Sequence, residues 1–100
     1  MIIVEKNSGE KIDYNVSGKK ICFDDDLTIN LAKRQEDWDV HIDICYDDDN
    51  ALVIGAAAGR SYVAELDIPK REYEELNPSG APTALPLDMD KVTLTLWAII

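Results

Sequence analysis

The sequence predicts an all-β protein: a small antiparallel meander of about seven or eight strands, forming a β-sandwich or a partly open barrel. Three observations carry this. Apolar and polar residues alternate with a period of two along most of the chain. Clusters of Asp, Asn, Gly and Ser interrupt that alternation about every eight to twelve residues. No stretch carries a long apolar stripe at helical spacing.

The elements follow in order. "MIIVE" is a short apolar run, and "NSGE" a turn by composition. "KIDYNV" places Ile12, Tyr14 and Val16 on one face, and after "SGKK" the run "KICF" points Ile21 and Phe23 inward. "DDD" is a tight acidic turn, and "LTINLA" turns Leu27, Ile29 and Leu31 inward. "DWDVHIDICYDDDN", residues 37–50, is the longest strand candidate, with Trp38, Val40, Ile42, Ile44 and Tyr46 as its packing face. "DDDN" links it to "ALVIGAAA" as a hairpin, and the second run, apolar on both faces, reads as a central strand. "SYVAELDI" alternates again, with Tyr62, Ala64, Leu66 and Ile68 together until Pro69 ends it. "KREYEEL" fits a helical turn or an extended edge. The proline-rich segment at about 77–90 reads as an irregular, exposed and mobile loop. "KVTLTLWAI" closes the sheet with Val92, Leu94, Leu96 and Ala98 on one face. Tight turns predict that sequential strands pair. The expected core is Trp38, Val40, Ile42, Ile44, Leu52, Ile54, Leu66, Leu94 and Leu96.

One hundred residues make one domain, 1–100, large enough for a single core. The net charge of −10 is unevenly spread. Residues 1–20 hold four lysines against three acids, whereas residues 21–50 hold ten acids against Lys33 and Arg34. Such a field disfavours nucleic acid and anionic membrane and favours a cation or a basic protein surface. Two cysteines form no disulfide framework, and no signal peptide or membrane span is apparent, so a reduced, cytoplasmic setting is expected.

The side chains opposite the packing face of residues 37–50 include Asp37, Asp39, His41, Asp43, Cys45 and Asp47. His41, Asp39, Asp43 and Cys45 are of the types that ligate metals. Same-face neighbours on a strand lie about 6.5–7 Å apart, so a site could use at most a pair such as His41 and Asp43 with ligands from another strand. The acidic turns lack the alternating acids, glycine and terminal glutamate of an EF-hand. His41 and Cys45 lie about 13 Å apart along a strand, too far for proton transfer. "GAAAGR" lacks the lysine and hydroxyl of a phosphate loop. An enzyme is not expected, nor a cofactor. The leading expectation is a binding module whose acidic face, Asp37, Asp39, Asp43, Asp47, Asp48 and Asp49, meets a basic protein. A divalent-metal site including His41 is the alternative.

Three phrases, "LAKRQEDWDVHIDIC", "AAAGRSYVAELDIPKREYEE" and "LPLDMDKVTLTLWAI", together resemble a group of short bacterial proteins of unknown function, over roughly residues 27–100. The resemblance implies no activity, ligand or catalytic residue.

Overall fold

A computed structural model describes residues 1–55, 61–74, 80 and 82–99. Among the described residues there are eight strands: β1 (Ile2–Glu5), β2 (Tyr14–Ser17), β3 (Lys20–Phe23), β4 (Leu27–Asn30), β5 (Val40–Tyr46), β6 (Leu52–Ile54), β7 (Ser61–Ile68) and β8 (Thr93–Leu96). A single helical turn, α1 (Leu31–Arg34), follows β4, and a 3-10 turn, Met89–Lys91, precedes β8. The strands form a five-stranded sheet in the order β1-β8-β7-β5-β6 and a three-stranded sheet, β2-β3-β4. The fold is all-β, and the sheets do not close into a barrel. None of the described helices is long and apolar enough to cross a membrane.

The small sheet is a meander built by its turns. Asp24 and Asp25, between β3 and β4, both adopt positive φ, a conformation that Asp tolerates better than most residues. The acidic turn therefore has a backbone reason before any functional one. The large sheet departs from sequential pairing. β1 pairs with β8, in parallel, and β5 separates β6 from β7. Beside β1, Ala98 N–H donates to Asn7 Oδ1 (2.7 Å) and Ile99 N–H to Glu10 O (2.7 Å). Gly9 is needed here: its φ is +132°, and a Cβ would stand 2.9 Å from that of Ala98.

The core lies between the sheets. Ile21, Phe23, Ile29 and Leu31 join Ile42, Ile44, Ala64, Leu66, Ile68, Leu94 and Leu96 in one buried cluster. Two expected members are elsewhere. Trp38 is 63% exposed, because β5 begins only at Val40 and Trp38 sits in a bend before it. Ile54 is 41% exposed, because β6 is the edge of the sheet and not a central strand. Residues 56–58, the rest of that apolar run, and the "GAAAGR" residues 56–60 lie outside the described residues.

A β-bulge alters β7. Ile44 pairs with Ala64 but Cys45 with Tyr62, so Val63 is an extra residue. Val63 and Ala64 are both buried, and Tyr62 moves to the opposite face from Leu66 and Ile68. Simple alternation had placed Tyr62 inside.

The proline-rich segment is irregular where it is described, yet it docks. Leu87 is buried, Leu85 N–H donates to Glu72 O (2.8 Å), and Ala84 bridges Tyr73. The chain at 70–74 is extended rather than helical, and 75–76 lie outside the described residues.

Candidate functional site

One face of the five-stranded sheet packs on the core; alternate residues of the same strands form the opposite face. On this outer face the register sets His41 of β5 opposite Asp67 of β7, and Asp43 opposite Glu65. Thr93 and Thr95 of β8 continue the same rows, pairing Asp67 and Glu65. Ile2 and Val4 of β1 lie beyond them, opposite Thr93 and Thr95.

The side chains converge. His41 Nδ1 lies 2.6 Å from Asp67 Oδ1, and His41 Nε2 lies 2.8 Å from Asp43 Oδ1 and 3.4 Å from Glu65 Oε1. Glu65 is held from its other side, where Trp97 Nε1–H donates to Oε2 (2.7 Å). Tyr62 packs against Trp97 with ring centroids 5.3 Å apart, and Lys6 Nζ lies 5.5 Å over the Trp97 ring. The hydrogen bond to Asp67 is the main reason that the His41 imidazolium is stabilised and its pKa raised; Asp43 adds to this, and partial desolvation opposes it. His41 remains accessible, with its side chain 47% exposed. A shallow groove beside it is lined by Asp39, Val40, Asp67, Ile68, Lys91 and Thr93.

His41 Nε2 and one oxygen each of Asp43 and Glu65 all lie within 4.8 Å of one another. They are a nitrogen and two hard oxygen donors, a set suited to a divalent cation. Asp67 would then hold Nδ1–H and aim Nε2 at the ion, the usual second partner of a ligating imidazole. Cys45 is poorly placed to act as a nucleophile. It is fully buried, flanked by Val53 and Tyr62 in the adjoining strands, and burial raises its pKa, with the Asp43 and Glu65 charges adding to that.

The six aspartates singled out from the sequence do not form one patch. Asp37 and Asp39 precede β5. Asp37 Oδ1 accepts from Arg71 Nη1 (3.2 Å) and Tyr73 O–H (2.5 Å), and Asp39 Oδ1 from the backbone N–H of Lys70 (3.0 Å). Gln35 completes this clamp: it is buried, and its Nε2 donates to Pro69 O (3.0 Å). Asp43 belongs to the His41 cluster. Asp47 shapes the hairpin, its Oδ1 accepting from Asp49 N–H (2.8 Å) and Ala51 N–H (2.9 Å). Asp48 and Asp49 are exposed in that hairpin loop, at the other end of β5 from His41. Glu65, Asp67 and Trp97 were not foreseen. The alternation in "AELDI" marked both acids as outward-facing, but nothing local sets which strand lies beside His41.

Compared with protein-family models, curated proteins and solved structures, the chain has no significant match.

Proposed function

We propose that the protein is a non-catalytic binding domain whose outer sheet face, acidic around His41, receives a basic segment of another protein. The observation that supports it most is the gathering of Asp43, Glu65 and Asp67 around one exposed imidazole on an open sheet face. Asp39, at the rim of the adjoining groove, extends the negative edge where a lysine or arginine side chain of the partner would lie. The tightly bonded Asp37 and Asp47 serve the fold, which narrows the docking surface to Asp39, Asp43, Glu65 and Asp67.

Titration with an oligolysine peptide at increasing salt tests this reading. Affinity should fall as salt rises. Asp43→Asn with Asp67→Asn should weaken binding by about tenfold, from roughly 1 kcal/mol per lost pair with partial additivity. Equal affinity of the double variant and the native protein would remove this face from consideration.

The donor set at His41 favours a second reading, a divalent-cation site. A specific ion at a hundred times its dissociation constant adds about 2.7 kcal/mol, or roughly 10–20 °C in midpoint for a domain of this size. A rise of that order in zinc or manganese over chelator, lost in His41→Ala, would establish it. Equal midpoints in metal and chelator would exclude it.

A further inference from the structure

The geometry points to β1 as a self-association edge, at which two copies of the chain pair their first strands antiparallel and join their five-stranded sheets. Among the described residues, β1 has a partner on one side only. Ile2 N–H donates to Val92 O (2.8 Å) and Lys6 N–H to Leu96 O (2.8 Å), so the even-numbered residues of the strand face β8. The backbone N–H and C=O groups of Ile3 and Glu5 consequently point away from the sheet, as an open edge.

The side chains on this edge are those of an interface. Ile2, Ile3 and Val4 are 50%, 44% and 42% exposed, and no proline or bulge blunts the strand; its one charge, Glu5, shares the face of Ile3 but stays exposed, with Lys11 Nζ 3.9 Å away. The opposite edge of the same sheet differs. β6 is three residues long and follows the loop bearing Asp47, Asp48 and Asp49, which repels a second acidic copy. β1 lies in the part of the chain whose charge is near balance, with four lysines and three acids over residues 1–20. Two copies that each carry −10 meet there with the least repulsion.

The edge also dictates its own register. In an antiparallel pair, outward-facing residues must oppose outward-facing residues. Setting Ile3 against Glu5 of the second copy, and Glu5 against its Ile3, uses every outward group of the strand. Val4 then meets its own equivalent on the two-fold axis, an isologous contact that closes at two copies.

Sedimentation equilibrium of the full chain over a range of concentrations tests this. The expected result is a reversible rise toward twice the 11.2 kDa protomer mass, strengthened by salt. Val4→Lys, which sets like charges face to face on the axis, should remain a monomer with unchanged circular dichroism. Ile54→Lys, on the other edge, should dimerise as the native chain does. Amide exchange gives an independent readout: Ile3 and Glu5 should gain protection as concentration rises. A native chain that stays monomeric throughout, a Val4→Lys chain that still dimerises, or Ile3 and Glu5 exchange independent of concentration would each overturn the proposal.

Discussion

The two faces of the five-stranded sheet are made by the same strands and read by the same alternation, yet they obey different physics. On the inner face, Ile42, Ile44, Ala64, Leu66, Ile68, Leu94 and Leu96 are at most 6% exposed, and packing decides their contribution. On the outer face, His41, Asp43, Glu65 and Asp67 are held by charge-assisted hydrogen bonds with water close by, so proton and ion activities decide theirs. The inner face tells what the protein is. The outer face is where it can respond to its surroundings.

The contrast can be broken most sharply from the inside. Phe23 is fully buried, and Phe23→Ala should cost about 3–5 kcal/mol in urea unfolding; Ile44→Ala should cost about 2–5. Losses below about 1 kcal/mol at both sites would mean that the two sheets do not share the core described. Next comes the backbone. Gly9→Ala must either leave positive φ or push against Ala98, and should cost about 1–3 kcal/mol. An unchanged denaturation midpoint would show that the junction between residues 7–10 and 98–99 yields freely.

The outer face gives a smaller effect with a characteristic pH dependence. Because the folded pKa of His41 is raised above 6.5, the folded state binds its proton more tightly than the unfolded chain does. The stabilisation is complete below 6.5, while the carboxylates remain ionised, and is lost as pH rises through the folded pKa. His41→Ala should therefore lower the midpoint in mildly acidic buffer and leave it unchanged in alkaline buffer. The difference should stay below about 1 kcal/mol because the imidazole is half exposed. A loss independent of pH would assign His41 a packing role instead. The smallest effect belongs to Trp38. Its removal as Trp38→Ala should change stability by less than about 0.5 kcal/mol, measured by the same unfolding curves.

Much of the inner face was legible in the sequence. Ile21, Phe23, Ile29, Leu31, Val92, Leu94 and Leu96 all lie where their alternation placed them, because burial of one face is a local, period-two signal. Trp38 escaped because alternation extended the strand two residues past its real start, and the clamp of Gln35, Asp37 and Asp39 on residues 69–73 turns the chain there. Tyr62 escaped because one extra residue, Val63, reverses the phase of everything before it in β7. The candidate site was half legible. His41 and Asp43 lie two apart on one strand, but Glu65 and Asp67 arrive from a strand some twenty positions later, through a register that no local pattern specifies.

The pairing of β1 with β8 has a consequence in time. Ile2 and its partner Thr93 are separated by about ninety positions, so this contact closes nearly the whole chain into a loop. During synthesis the first strand emerges long before the strand that will hold it. β2, β3 and β4 can form their meander early from short-range contacts, whereas Ile2, Ile3 and Val4 wait with both edges open until residue 96 has been made. β1 is thus secured in its sheet only after β8 has been made, and through that interval it is open to capture by other extended chains.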